Sequence, residues 1–245
     1  MTAPGSAMGI TGNRTIKTCN IREMKQIDFH AHILPGCDHG SDCAETSAKQ
    51  LSLAAGAGID VICAVPHFYP ERENVEQFLR RRELSLSLLK RTVRTNVEIL
   101  PGAEVLCFAG LEKQPGIDKL CFERGGILLL EMPFKKWPSK MIETVEALYL
   151  KKDFKVILAH VDRYPPDEVE ELLSIGLTAQ LNTDSCSGFF FDKRIAGWIN
   201  DGSIVAWGSD IHGALTGYGK WKKCRKRRGK LWDAVMERTN TLLGF

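Results

Sequence analysis

Residues 26–40 read Gln26-Ile27-Asp28-Phe29-His30-Ala31-His32-Ile33-Leu34-Pro35-Gly36-Cys37-Asp38-His39-Gly40. The run Gln26–His30 predicts a strand. His30 and His32 are two residues apart, so both project from one face of the extended chain and can reach a single metal ion. Working outward, six more short apolar or β-branched runs predict strands at Asp60–Val65, Val97–Pro101, Ile127–Glu131, Lys155–His160, Thr178–Asn182 and Ser203–Gly208. Between them lie stretches of helical period. The first opens with Asp42 and Glu45 at capping-box spacing, carries Ala44, Ala48, Leu51 and Ala55 on one face, and ends at Gly56 and Gly58. The second, about Val75–Val93, presents Val75, Phe78, Leu79, Leu86, Leu89 and Val93, with arginines on its other side; further helices start near Pro138 and Pro166. Alternating β and α units with nearly continuous apolar strands predict a parallel sheet covered by helices, and seven such units in a chain of this length predict a closed α/β barrel.

The chain has 245 residues, 44% hydrophobic and 26% charged, with a net charge of +3. This composition excludes disorder as the main state, and no apolar stretch approaches the roughly 18 residues a membrane span needs. Residues 1–23 are small, polar and slightly basic, without the apolar segment of a secretory signal; they are expected to form a flexible extension ahead of one domain over 24–245, in a cytoplasmic protein. Eight cysteines are scattered without Cys-x-x-Cys pairing, which predicts reduced thiols. No arginine lies six residues after any of them, so the Cys-x5-Arg loop of thiol phosphatases is missing.

All six histidines, 30, 32, 39, 67, 160 and 212, fall at or just beyond the end of a predicted strand, and the carboxylates Asp28, Asp38, Glu104, Glu131 and Asp210 follow the same pattern. In a parallel barrel those ends share one face, the one that carries active sites. Imidazole and carboxylate ligands together suit manganese, iron or zinc, and the number of donors fits two or three divalent ions.

In order along the chain stand Asp28-Phe29-His30-Ala31-His32-Ile33-Leu34-Pro35-Gly36-Cys37-Asp38-His39-Gly40, Ala64-Val65-Pro66-His67, Leu100-Pro101-Gly102-Ala103-Glu104, Leu130-Glu131-Met132-Pro133-Phe134, Ala159-His160-Val161-Asp162-Arg163-Tyr164 and Ser209-Asp210-Ile211-His212. This series resembles the motifs of the polymerase-and-histidinol-phosphatase (PHP) superfamily, and most of all the bacterial manganese-dependent tyrosine phosphatases of capsule and exopolysaccharide loci. The resemblance implies a distorted seven-stranded barrel, a trinuclear centre with manganese as first choice and iron or zinc next, and dephosphorylation of a partner tyrosine kinase. It further implies that His30, His32, Glu104 and Asp210 hold a first ion, Glu131 and His160 join at a second, His67 and His212 serve a third, and Arg163 binds phosphate.

Three departures stand out. Asp38-His39-Gly40 replaces the Asp-Asp-Gly of many relatives, which makes His39 the expected ligand of the third ion. Thr216-Gly217-Tyr218-Gly219-Lys220 replaces a Gly-Arg-Pro-Pro stretch, leaving Lys220 as a substitute phosphate contact. The run 220–230 carries eight basic residues and no acid; removing those charges from a chain of +3 leaves the remainder at −5, so this is a local patch for an anionic partner or a solvated helix face. The expected chemistry is in-line attack of activated water on a phosphate monoester, with Asp38 as candidate general acid. The alternatives are a phosphatase of histidinol phosphate or another small molecule, a PHP exonuclease, and a non-catalytic binding module using the basic run.

Overall fold

A computed structural model describes Met1 and residues 24–151, 153–213 and 217–245. Apart from Met1, the extension expected over residues 1–23 lies outside the described residues, as does Thr216. The strand segments are β1 (Ile27–His32), β2 (Val61–Ala64), β3 (His67–Phe68), β4 (Glu98–Pro101), β5 (Glu104–Leu106), β6 (Ile127–Glu131), β7 (Lys155–Leu158), β8 (Thr178–Asn182), β9 (Ile204–Gly208) and β10 (Ile211–His212). They pair parallel in two sheets, ordered β10-β1-β2-β4 and β3-β5-β6-β7-β8-β9.

Three pairs of segments are single runs of chain broken at a kink. Val65-Pro66 separates β2 from β3, Gly102-Ala103 separates β4 from β5, and Ser209-Asp210 separates β9 from β10. Pro66 has no N–H to give a ladder. Across the kinks the Gly102 N–H donates to the Ala64 carbonyl at 2.9 Å, that of Glu104 to Pro66 at 3.1 Å and that of Asp210 to His30 at 2.8 Å. Joined in this way, the segments are the seven predicted strands in chain order around a distorted barrel, with β1 beside both β2 and β10. The kinks are why its hydrogen-bond ladder falls into two sheets. All six residues of β1 are buried, as a strand covered on both faces requires.

The helices are α1 (Ala44–Ala55), α2 (Val75–Thr92), α3 (Ser139–Leu150), α4 (Pro166–Ser174), α5 (Thr183–Cys186), α6 (Lys193–Asn200), α7 (Gly219–Arg228) and α8 (Lys230–Leu243). Two details correct the sequence reading. The capping box at Asp42 and Glu45 does not form: α1 has Cys43 at its N-cap without a side-chain bond, and its buried face is Ser47, Gln50, Leu51 and Ala54. The box occurs on α2 instead, where Asn74 and Gln77 satisfy each other's backbone N–H groups. The arginines of α2 are not all turned to solvent either. Arg82 is buried and donates to the Gly102 carbonyl at 3.2 Å, bracing the β4–β5 kink. Arg81 ties the Cys37 and His67 carbonyls to Glu73.

The last two helices seal the barrel through tryptophans. Trp207 of β9 stacks on Trp232 of α8 with centroids 5.3 Å apart, and Trp221 of α7 meets Trp232 edge-on at 4.8 Å. The aromatic residue inside the basic run is therefore a core residue, fully buried and unavailable for stacking on a base.

Candidate metal centre

Six of the seven strands deliver predicted donors to one point. Glu104, at the start of β5, sits at its middle. Its Oε2 lies 3.0 Å from His67 Nδ1, 3.2 Å from His32 Nε2 and 3.3 Å from His30 Nε2, while Oε1 is 2.8 Å from His160 Nε2. Asp210 Oδ1 is 3.4 Å from His32 Nε2 and 3.5 Å from both His30 Nε2 and His212 Nδ1. Glu131, the last residue of β6, completes the group at 3.7 Å from His67 and 3.8 Å from His160. Three donor triads follow: His30, His32 and Asp210; His67, Glu104 and Glu131; and His32, His67 and His212.

The surroundings fix which ring atoms face inward. Gln180 Oε1 accepts the His160 backbone N–H at 2.8 Å, so that atom is the amide oxygen, and it therefore also accepts from His30 Nδ1 at 3.1 Å. Asp38 Oδ2 accepts from His32 Nδ1 at 2.7 Å. With both Nδ1 atoms donating outward, the two Nε2 atoms point inward and are only 3.1 Å apart. Two imidazole nitrogens turned inward at that distance need a proton or a metal cation between the ligand atoms. Two further observations fit a cation. Buried His67 Nδ1 and Glu104 Oε2 have no hydrogen-bond partner although they are adjacent. Burial and the Glu104 charge push the Glu131 carboxyl up to about 7, a cost that bound positive charge removes. The mixed nitrogen and oxygen donor set is that of manganese, iron or zinc rather than calcium.

The chain is strained to bring these groups together. His160 has φ 30° and Asp210 φ 51°, and they are the left-handed non-glycine residues among those described. Such residues cost on the order of 1–3 kcal/mol each and cluster at functional sites. Gly208 and Gly40 are glycines for space: a Cβ on the first would stand 2.6 Å from His30 Cβ, and on the second 2.1 Å from His32 Cβ. Asp28, fully buried beneath the site, accepts from the Ser209 N–H at 2.8 Å, the Ser209 hydroxyl at 2.6 Å and the Tyr218 hydroxyl at 2.9 Å, and so pins the kink that carries Asp210.

At the mouth, Arg163 pairs with Asp210 Oδ2 while its side chain stays 43% exposed. It lines a cavity of about 140 Å³ with Thr183, Asp210, His212, Tyr218 and Lys220. Lys220 Nζ donates to Asp184 Oδ2 at 2.6 Å, so part of its charge is already answered. His39 is exposed and stacks over His67 and His212, with centroids 4.8 and 4.6 Å away, outside the three triads. Asp38 is corrected. Besides the His32 ring it accepts the Gly40 and His67 backbone N–H groups at 2.9 and 3.1 Å. Burial raises its pKa, but the bond and charge of His32 outweigh that and hold it below the ordinary carboxylate range. In this arrangement its carboxylate accepts three hydrogen bonds and orients the His32 ring.

The description "Capsular polysaccharide synthesis, CpsB/CapC" matches residues 26–239 of this chain. The chain belongs to the CpsB/CapC family. A solved structure from work on YwqE of Bacillus subtilis and CpsB of Streptococcus pneumoniae, described as unique metal-dependent tyrosine phosphatases, superposes with a TM-score of 0.72 at 23% identity, covering 89% of this chain and 94% of that one. The barrel is shared more distantly with a phosphotriesterase homology protein of Escherichia coli complexed with phosphate in its active site (TM-score 0.55, 11% identity, 89% and 98% covered). A TatD-family hydrolase of Entamoeba histolytica is similar at TM-score 0.53 and 10% identity, with 90% and 99% covered. None of the curated proteins compared with the chain matches it. Within this CpsB/CapC chain, Gln180, Asn182 and Tyr218 are the site residues that sequence reasoning missed. Gln180 and Asn182 alternate on the predicted strand Thr178–Asn182, and that polar pair on an otherwise apolar run was the available signal.

Proposed function

We propose that this CpsB/CapC protein is a cytoplasmic, metal-dependent protein-tyrosine phosphatase whose substrate is a tyrosine kinase of capsule or exopolysaccharide synthesis. The observation that carries the reading is the convergence of His30, His32, His67, His160, Glu104, Glu131 and Asp210 on one buried point, with Arg163 exposed at its mouth. The fold shared with the metal-dependent tyrosine phosphatases supports it, as do the seven described cysteines, all free thiols.

Two or three divalent ions held by these residues and by His212, manganese first and iron or zinc next, would supply acidified water and neutralise charge on the phosphoryl oxygens. His39 is the proposed extra ligand of the outermost ion, from its place over His67 and His212. Glu104 faces four imidazoles and would contribute its carboxylate to the metal-holding set. Asp38 and Gln180 position His32 and His30 by fixing their tautomers. Arg163 keeps one edge on Asp210 and presents its remaining donors to a phosphate; the planar fork makes this contact bidentate and places phosphorus for in-line attack. Lys220 adds a weaker charge at the rim. Phenolate leaves without a strong acid, so turnover does not hinge on a proton from Asp38.

A substrate panel tests the reading. With manganese-loaded protein, a phosphotyrosine peptide should have the highest kcat/KM, ahead of a phosphoserine peptide, histidinol phosphate and a DNA oligomer. Preference for histidinol phosphate, or degradation of the oligomer, would replace it with one of the other barrel chemistries.

A further inference from the structure

Beside the metal centre lies a surface that phosphate hydrolysis does not use. The loop after α5 runs Ser187-Gly188-Phe189-Phe190-Phe191, and Phe189 and Phe190 are 87% and 98% exposed. It is held against the basic helix α7. Arg228 donates to the Cys186 carbonyl at 2.7 Å and also to that of Gly188, Arg227 donates to Ser187, and the two guanidiniums lie 4.1 Å from the Phe189 and Phe191 ring centroids. Trp221 and Cys224 bury the inner side of α7, so Lys222, Lys223, Arg225, Lys226 and Arg227 are left exposed. The acids that flank the loop do not cancel this charge, since Asp184 pairs with Lys220 and Asp192 with Arg194.

We propose that this loop and helix form a docking surface for an anionic lipid bilayer. Phe190, 98% exposed, protrudes from the surface. A protruding aromatic tip backed by cations suits the headgroup boundary, where rings enter the acyl edge and lysine and arginine meet anionic lipid. Trp221, the aromatic residue of the basic run itself, is buried, so the exposed rings of this surface are those of the loop. Lys220, on the same helix, lines the cavity that holds Arg163, so docking sets the mouth of the site beside the membrane, within reach of a membrane-borne substrate.

Vesicle flotation of the full chain tests this, using phosphatidylcholine alone and phosphatidylcholine with phosphatidylglycerol. The protein should favour the anionic vesicles by at least about tenfold, and added salt should weaken binding. Phe189→Ser with Phe190→Ser, and separately Lys222→Glu with Lys226→Glu, should each lose about tenfold in partition. Both variants should keep the parent circular dichroism and the parent rate on a soluble phosphotyrosine peptide. Equal binding to the two vesicle types, or undiminished binding by both variants, overturns the proposal. So does a parent that ignores vesicles while either variant raises KM for the soluble peptide, because the surface would then dock peptide.

Discussion

The two ends of the barrel treat buried polar groups in opposite ways. At the N-terminal ends of the strands the chain supplies partners to its own groups. Asn240 of α8 accepts the Lys25 N–H and donates to the Lys25 carbonyl, both at 2.9 Å. Gln26 accepts from Trp232 Nε1 at 3.1 Å, and its N–H donates to Asp60 at 2.8 Å. At the C-terminal ends the partners are withheld: His30 and His32 aim nitrogens at each other, and Glu104 Oε2 and His67 Nδ1 are buried without a bond. The first end is built for stability, and the second accepts strained backbone and buried donor atoms left without partners, which a cation would engage. Substitutions at the two ends should therefore separate stability from turnover.

The largest separation is expected from Trp232→Ala. It empties the space between Trp207 and Trp221 and strands Gln26 Oε1, costing about 3–5 kcal/mol and lowering Tm by roughly 10 °C. Turnover per folded molecule and metal content should stay at parent values, as thermal denaturation, metal analysis and kinetics at low temperature would check. A matching loss of kcat would break the comparison by making the closed end part of the catalytic machinery.

Arg163→Ala probes the other end. It should lower kcat/KM by roughly 10² to 10³, about 3–4 kcal/mol of transition-state stabilisation, with Tm and bound metal unchanged. Arg163→Lys should recover only part of this, since an ammonium lacks the fork. Loss of metal in either variant would mean that Arg163 maintains Asp210 rather than gripping phosphate.

A smaller effect, about tenfold in kcat, is expected from His39→Ala, with one ion per chain lost; His39→Asp should retain that ion at neutral pH. Unchanged stoichiometry and rate in His39→Ala would leave the outermost ion to His67 and His212.

Much of this arrangement was legible in the sequence, and particular residues show why. Six histidines at predicted strand ends place a polar cluster on one face of a parallel barrel whatever the details of packing, and the seven strand positions follow from short apolar runs bounded by turns. The segments after the kinks, His67–Phe68, Glu104–Leu106 and Ile211–His212, are two or three residues long and carry no periodicity to read. Asp42 and Glu45 have the spacing of a capping box, but the helix begins after Cys43. Gln180 is remote in sequence from His30 and His160, and only the closing of the barrel brings its amide between them. Asp38 reads from sequence as a candidate general acid, but its three donors, from His32, Gly40 and His67, come from separate segments that only the fold brings together.

The central claim is that the unsatisfied end of the barrel is completed by divalent metal, which performs the hydrolysis. The direct test is to measure bound metal and turnover of a phosphotyrosine peptide on one preparation as purified, after verified removal by chelation, and after manganese is restored. Activity should fall at least about 10³-fold with the metal and return with it, and replacement of the cysteines should leave it intact. Full turnover by protein shown to be free of metal would contradict the claim.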